Sequence, residues 1–253
     1  MVLSLALAFI GSVVTVLLAS AAVVVRALTP IAGTVAAAFG IVIVVFAGVA
    51  FLSLLILFVV GSTLATRYRF AEKRERQVQE GKRGERGVSN VVAHIVLPTG
   101  LAVAGGWNPS LVSPPTVAVL YTSALAFGAS DTLASEFGVL AGHARSILTL
   151  RPVPPGTNGG VSGRGELAAI LGAASTAAIG LGLFVVTGVR LPSDYLLIGA
   201  ATLSGFVACQ VDSVLGEVLE NRGYLTKHGT NFLGMLSAIA IAAAVLAAAG
   251  ALG

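Results

Sequence analysis

Two short passages of this sequence place acidic residues inside apolar segments, with the same spacing in each. The first reads Asp-Thr-Leu-Ala-Ser-Glu over residues 131–136, and the second reads Asp-Ser-Val-Leu-Gly-Glu over residues 212–217. Each passage is followed by a loop with the triplet Gly-Thr-Asn, at 156–158 and at 229–231. Because an acidic side chain inside a membrane is costly, an arrangement that occurs twice indicates a function for these acids.

Two aspartates that face each other at a water interface would suit Mg²⁺, which prefers oxygen ligands and keeps several waters. On a regular helix, a separation of five residues turns Glu136 about 140° away from Asp131, so both cannot point at one spot. Either the helix is locally widened or the acids have different partners. We expect Asp131 and Asp212 to be the principal metal ligands, with Glu136 and Glu217 as secondary ones.

A glycine-rich loop, residues 151–165, follows the first acidic passage and immediately precedes an apolar helix. Its glycines let backbone N–H groups approach an anion, Thr157 and Ser162 carry hydroxyls, and the helix N-terminus adds its dipole. This pattern predicts a phosphate-binding loop, although the Gly-Lys-Ser/Thr ending of a Walker loop is missing. The alternative is an ordinary turn with Thr157 or Ser162 as the helix N-cap. The second triplet lacks a following glycine pair, so an N-cap role for Thr230 or Asn231 is its alternative.

Several other polar residues lie near these motifs. Lys227 and Arg151 could neutralise phosphate charge, with pairing to the acids or membrane anchoring as alternatives. Asn90 and His94 are one helical turn apart at the start of an apolar segment, so they could face the same cleft. An intramembrane aspartyl protease would also use two aspartates, but a peptidase has no need of an anion-binding loop.

The composition decides what kind of element carries these residues. Hydrophobic residues make up 56% of the chain and charged residues 10%. A soluble domain cannot bury that much apolar surface, whereas apolar runs of about twenty residues match helical membrane spans. The period-two alternation of a membrane barrel is absent. The single Cys209 excludes an intrachain disulfide and a multi-cysteine metal site. The sequence therefore predicts an all-α polytopic membrane protein with seven or eight transmembrane helices.

The apolar runs also predict where the spans lie. Residues 1–25 form a retained first span, because they lack a basic n-region and exceed a signal-peptide core. The stretch 31–66 is too long for one helix and is expected to form a hairpin broken at Gly40 or Gly48. Further spans are expected at 90–107, 115–139, 165–188, 195–219 and 231–252.

The charge distribution predicts the orientation. The segment from Arg67 to Arg86 holds eight basic and four acidic residues, which accounts for the net charge of +4. The positive-inside rule places this segment in the cytoplasm, where we expect a solvated loop and no nucleic-acid partner. Counting spans places loops 140–164 and 220–230 on the same side. Both acidic passages and both triplets then converge at the cytoplasmic face, in the cell membrane.

The two acidic passages also predict an internal duplication. We expect one integral membrane domain, residues 1–253, with N-terminal spans at 1–66 and a basic loop at 67–89. Two repeat units follow, at 116–188 and 195–253. Both units enter and leave the membrane in the same sense, so their symmetry axis would run along the membrane normal. Each unit would project one aspartate into a central cleft.

Three stretches resemble an integral membrane family that includes plant phytyl-phosphate kinase. They are residues 129–136, residues 153–162, and residues 211–216 followed by Thr230-Asn231. The segment that begins at Asn90 is similar to the family's Asn-Val-x-x-Asn motif, with His94 in place of the second Asn. The resemblance covers most of the chain from about residue 30. Dolichol and phytol kinases and CDP-diacylglycerol synthase are similar more distantly.

The resemblance implies a kinase that uses a nucleoside triphosphate, expected to be CTP. It would convert an isoprenyl monophosphate, such as phytyl or geranylgeranyl phosphate, to the diphosphate. Mg²⁺ would be held by the four acids named above, and Lys227 would stabilise charge. The implied substrate and nucleotide ligands are Asn90, Ser135, Arg151, Gly156, Thr157, Asn158, Gly159, Gly160, Ser162, Ser213, Thr230 and Asn231.

Two other functions stay open at this point. A CTP-dependent polyprenol kinase or cytidylyltransferase would share the site and differ in its acceptor. A transporter of an anionic solute would also use repeats, but its polar residues should lie near the middle of the membrane. The sequence leaves the prenyl chain length, the nucleotide and the oligomeric state open.

Overall fold

The computed structural model describes residues 5–81 and 83–252. Residues 1–4 of the expected first span, Lys82 of the basic segment and Gly253 lie outside this range. The helices are α1 Leu5–Val24, α2 Pro30–Phe46, α3 Val49–Arg67, α4 Phe70–Glu75, α5 Val88–Trp107, α6 Pro114–Gly138, α7 Gly163–Thr187, α8 Asp194–Leu215 and α9 Lys227–Ala248. A π-helical turn, Gly216–Glu220, continues α8, and three short strands are β1 Ala144–Ser146, β2 Pro152–Val153 and β3 Gly160–Val161.

Within the described residues, seven helices are long and apolar enough to cross a membrane. The eighth apolar helix, α2, has 17 residues and lies beside α5 along its whole length. Leu28, before α2, bridges to Arg86, before α5, and Phe46 at the end of α2 stacks on Trp107 at the end of α5. The predicted all-α polytopic fold is confirmed. The stretch 31–66 forms two helices that break at Gly48, because its φ of 92° suits glycine.

The central helix of the bundle is α6, which carries Asp131 and packs against α3, α5, α7, α8 and α9. Small residues let its neighbours come close. A Cβ added at Gly172 of α7 would lie 2.9 Å from the carbonyl oxygen of Ala129, and one at Gly205 of α8 would lie 2.8 Å from Ala126. Such small-residue contacts are how membrane helices pack when no hydrophobic driving force acts between them. They fix α6 between α7 and α8.

One face of the bundle collects the polar connections. There α3, α6 and α8 end and α5, α7 and α9 begin, and we call it the site face. Two ion pairs tie it together: Lys73 after α3 contacts Glu136 near the end of α6 at 2.6 Å, and Lys227 of α9 contacts Glu80 at 2.9 Å.

The expected solvated loop is found only in part: most arginines of the basic segment 67–86 are exposed, but two of its described basic residues are buried. We call residues 68–81 and 83–87 the strap, since they fold back over the site face. Lys73 is completely buried, and its ammonium group donates to Glu136 and to the carbonyl oxygens of Ala65 and Thr66. A buried ammonium group is tolerated because these three acceptors satisfy it. Arg86 is also buried, with 8% of its surface exposed.

The connection between α6 and α7 contains a small antiparallel sheet of order β2-β1-β3 that the sequence did not predict. Arg145 in β1 pairs with Pro152 on one side and with Val161 on the other. Strands of two or three residues are too short to show the alternation from which strands are predicted. The sheet places the glycine-rich turn, residues 154–160, against the end of α8.

The last helix begins earlier than expected, at Lys227. Thr226 is its N-cap, and the Thr226 hydroxyl accepts a hydrogen bond of 3.2 Å from the N–H of Gly229. The alternative in which Thr230 or Asn231 is the N-cap was therefore wrong. Both residues are buried within α9, at 1% and 2% exposure.

Candidate active site

A polar cavity of about 280 Å³ opens at the site face. Its walls are the ends of α6 and α8, the start of α9, the glycine-rich turn and the strap. Most of the residues that the sequence singled out line it together. They are Asp131, Ser135, Glu136, Gly156, Thr157, Asn158, Gly159, Gly160, Ser162, Asp212, Ser213, Lys227, Thr230 and Asn231.

The two aspartates enter this cavity from different helices. Asp131 lies about two turns before the end of α6, and Asp212 lies in the last turn of α8. The Oδ1 atom of Asp212 is buried and has no hydrogen-bond partner among the described residues. Burying a carboxylate oxygen without a donor is unfavourable, so this atom fits the role of a cation ligand.

The set of acids in the cavity also bears on which metal it could hold. The described part of the chain contains no group of three or more His, Cys, Asp or Glu side chains arranged to hold a metal ion. A pair of carboxylates is nevertheless the set that Mg²⁺ commonly uses, because its remaining ligands are water and substrate phosphates. Asp131 and Asp212 are therefore the residues that could hold Mg²⁺ here.

The two glutamates have different partners. Glu136 accepts the hydrogen bond of the buried Lys73, whereas Glu217 accepts one of 2.7 Å from the Ser146 hydroxyl in β1. Glu217 does not line the cavity. The helix is regular at Asp131 and Glu136, but it widens into the π-helical turn at Glu217. Glu136 thus holds the strap on α6, and Glu217 holds the small sheet on α8.

Close packing shapes the glycine-rich turn. Gly159 has a φ of 77°, and a Cβ added there would lie 2.4 Å from the Cβ of Glu217. Gly156 has a φ of 89°, and a Cβ there would lie 2.8 Å from Val78 of the strap. A side chain at either position would both strain the backbone and collide, so the turn fits between α8 and the strap only with glycine.

The turn uses some of its donors internally and leaves others free. The Thr157 hydroxyl donates to the carbonyl oxygen of Pro154 at 2.7 Å, and the N–H of Gly160 donates to the carbonyl oxygen of Thr157 at 2.8 Å. The N–H groups of Asn158 and Gly159 have no acceptor among residues 5–81 and 83–252. Both residues line the cavity, so their N–H groups could bind an anion.

Ser162 serves two roles. Its oxygen caps α7 by accepting a hydrogen bond of 3.1 Å from the N–H of Gly165, as the N-cap alternative predicted. It also lines the cavity, so its hydroxyl proton is available to an anion at the N-terminus of α7.

The strap contributes an acid to the site that the sequence did not single out. Glu80 lines the cavity and accepts a hydrogen bond of 2.9 Å from the Lys227 ammonium group. Burial by itself would raise the pKa of Glu80. The net shift is nevertheless downward, because Lys227 contributes its charge and a hydrogen bond and Arg86 contributes its charge. Burial lowers the pKa of Arg86, against the opposing charges of nearby acids. In the sequence, Glu80 is one of four acids in a charge-rich segment, and nothing distinguishes it there.

Arg151 and Asn90 lie outside this cavity. Arg151 is exposed in the turn between β1 and β2. Asn90 is buried beside His94, whose Nδ1–H donates to the Asn90 carbonyl oxygen at 2.9 Å. That bond leaves Nε2 of His94 as the acceptor for the side-chain N–H of Asn231, 3.5 Å away. Asn90 and His94 therefore lie behind the cavity wall that Asn231 forms.

Comparisons with known proteins agree with the membrane fold. Residues 13–240 match the family described as integral membrane protein DUF92. An uncharacterised membrane protein of Methanocaldococcus jannaschii is 29% identical over 197 residues, which cover 77% of this chain and 75% of the relative. An uncharacterised membrane protein of Synechocystis is 34% identical over 201 residues, covering 76% and 74%. Protein PGR of Arabidopsis thaliana is 29% identical over 196 residues, covering 70% and 67%. No solved structure matches the chain.

Proposed function

The chain belongs to the integral membrane protein DUF92 family, and on that premise we propose that it is a membrane-bound isoprenyl-phosphate kinase. It would transfer a phosphoryl group from a nucleoside triphosphate, CTP in this proposal, to an isoprenyl monophosphate. One observation carries the proposal. The same cavity is lined by the aspartates of α6 and α8 and by Asn158 and Gly159, whose N–H groups have no acceptor within the described part of the chain.

The proposed reaction needs positioning and charge stabilisation more than covalent chemistry. An oxygen of the acceptor phosphate forms a bond to the terminal phosphorus of the nucleotide. The bond from that phosphorus to the bridging oxygen breaks, and the nucleoside diphosphate leaves. The acceptor phosphate is already an anion, so no strong general base is required.

Each group of the cavity then has a role. Asp131 and Asp212 would hold Mg²⁺, which would supply positive charge to neutralise the phosphates. The N–H groups of Asn158 and Gly159 donate to the oxygens of the transferred group, as donors do where negative charge develops. Lys227 adds positive charge at the mouth of the cavity, where Glu80 orients it.

The depth of the acids favours this function over transport. Both aspartates lie near the site face, whereas the binding sites of transporters lie near the middle of the membrane. The site face also carries the basic residues of the strap, so the positive-inside rule assigns it to the cytoplasm. A lipid phosphate in the inner leaflet and a soluble nucleotide could meet there.

A transfer assay tests the proposal. Purified protein in detergent is incubated with Mg²⁺, phytyl or geranylgeranyl phosphate, and CTP, ATP, GTP or UTP labelled in the terminal phosphate. We expect labelled isoprenyl diphosphate. Free prenol as acceptor tests for a polyprenol kinase, and release of pyrophosphate tests for a cytidylyltransferase.

Matched variants make the assay specific. Asp131→Asn and Asp212→Asn should each lower the rate by more than about 100-fold, because a bound metal contributes several kcal/mol to the transition state. Asp194→Asn is the control, since Asp194 begins α8 at the opposite face. Absence of diphosphate with every nucleotide, or full activity in both site variants, would refute the proposal.

A further inference from the structure

A second cavity, of about 410 Å³, lies among α1, α2, α3 and α5. Most of its lining is aliphatic or aromatic, including Leu18, Ala22, Leu55, Ile56 and Val59. Water does not fill an apolar cavity stably, because it finds few hydrogen-bond partners there. The volume lies within the range of pockets that enclose small organic ligands. An apolar molecule therefore suits this cavity.

The cavity opens sideways to the bilayer. Three residues of its lining, Leu18 of α1 and Val60 and Leu64 of α3, are 42%, 48% and 64% exposed. Little of α1 is buried, and it packs mainly against α2. At the site face the guanidinium group of Arg67 hydrogen-bonds to the carbonyl oxygen of Val25 and bridges the two walls. A lipid could thus enter between α1 and α3 beneath this bridge.

One end of the apolar cavity is polar and adjoins the candidate active site. Arg86 lines that end and is 8% exposed, and no acid of the described chain lies within ion-pair distance of its guanidinium group. Its electrostatic partners, Glu80, Glu136 and Asp131, all line the polar cavity. Arg86 therefore lines the apolar cavity and is close enough to the polar cavity for the charges of its acids to act on it. A buried guanidinium group without a close anion is unfavourable, and phosphate is an anion that it can bind through two parallel hydrogen bonds.

His94 forms a second link between the cavities. It lines the apolar cavity, and its Nε2 faces the side-chain amide of Asn231, which lines the polar one. The polar end of the apolar cavity is thus one side chain away from the wall of the phosphoryl-transfer site.

We infer that the apolar cavity binds the hydrocarbon tail of the isoprenyl phosphate, with the lipid phosphate at Arg86. The lipid enters from the bilayer between α1 and α3, and its phosphate then lies on the side of Arg86 that faces Asp131. The chemical role of this site rests on the proposed function, but tail binding itself requires no nucleotide.

The test is a binding measurement without nucleotide. Tritiated geranylgeranyl phosphate is bound to the purified protein in detergent, with isopentenyl phosphate as a competitor that has the same head and a short tail. Ile56→Trp fills the cavity, and Leu57→Trp is the matched control, because Leu57 is 45% exposed and does not line it. We expect Ile56→Trp to raise the Kd for geranylgeranyl phosphate at least about tenfold. Leu57→Trp should leave this Kd within about twofold, since surface substitutions have small effects.

Two further variants keep the result interpretable. Val59→Phe is a smaller filling substitution that should act in the same direction, and thermal unfolding checks that each variant is folded. Neither filling variant should alter binding of isopentenyl phosphate, whose tail is too short to occupy the cavity. Arg86→Gln should weaken the binding of both phosphates at least about tenfold.

The outcomes separate this inference from the proposed function. Equal Kd values for Ile56→Trp and Leu57→Trp would overturn the tail site even if phosphoryl transfer is observed. Tail-dependent binding without transfer would support the tail site and refute the kinase. Displacement of geranylgeranyl phosphate by an equal concentration of phosphatidic acid would overturn the assignment to isoprenyl lipids. Failure of the wild type to bind geranylgeranyl phosphate would overturn the tail site, and the transfer assay would still decide the kinase.

Discussion

Replacing Lys73 by methionine should destabilise the protein by about 3–5 kcal/mol, because it leaves the carboxylate of Glu136 buried without its partner. The Lys73 ammonium group lies 2.6 Å from Glu136 and 2.8 Å from the carbonyl oxygen of Ala65, and its side chain is fully buried. Methionine fills a similar volume, so the loss is electrostatic. The carbonyl groups at the end of α3 also lose a cation that their dipole favours.

The free energy of unfolding can be measured by titrating the purified protein in mixed micelles with SDS and following the helical circular dichroism. Arg69→Met is the control, because the pair of Arg69 and Glu72 has side chains 48% and 22% exposed and should contribute at most about 1 kcal/mol. The double variant Lys73→Met/Glu136→Gln should be more stable than the sum of the single changes implies. If Lys73→Met is no more destabilising than Arg69→Met, the buried pair does not hold the strap in place.

Two further predictions concern the turn and the strap. Gly159→Ala should destabilise the protein by more than about 1 kcal/mol and lower its activity, because the φ of Gly159 is 77° and the added Cβ would collide with Glu217. Gly163→Ala is the control, because no atom lies within 4 Å of the added Cβ. It should leave both the free energy of unfolding and the rate of phosphoryl transfer unchanged. The stability difference between wild type and Glu80→Gln should be constant above the unfolded pKa near 4.5 and vanish as pH falls through the lower folded pKa. A difference that grows in acid would contradict the ion pair with Lys227.

The spans lie close to the positions that the sequence predicts, because the length and hydropathy of a segment are local properties. The span expected at 165–188 is observed as Gly163–Thr187, and the break in the stretch 31–66 falls at Gly48. The resemblance to the family is confirmed as well. The internal duplication stays a prediction, although the two glutamates already differ in their partners.

The partners of charged residues could not be read in the same way. Lys73 lies among several lysines and arginines of the strap, and its position beside Glu136, 63 residues away, explains why its ammonium group is fully buried. The pairing of Ser146 with Glu217 spans 71 residues. Such pairings depend on which helix ends meet, and helix packing alone decides that.

The sequence alone predicted that this chain crosses the membrane and that Asp131, Asp212 and a glycine-rich turn lie together, and the structure has them line one polar cavity. A charged residue within an apolar span costs free energy, so the few that occur there are recognised from the sequence as candidates for a function. Only the folded chain shows that the strap forms a wall of this cavity, where Glu80 pairs with Lys227. Only the folded chain also shows an apolar cavity whose lining residue His94 contacts Asn231 of the polar cavity. Both results depend on contacts between segments that are far apart in the chain. The composition of the strap could not show them, because a solvated loop and the wall of a site can have the same composition.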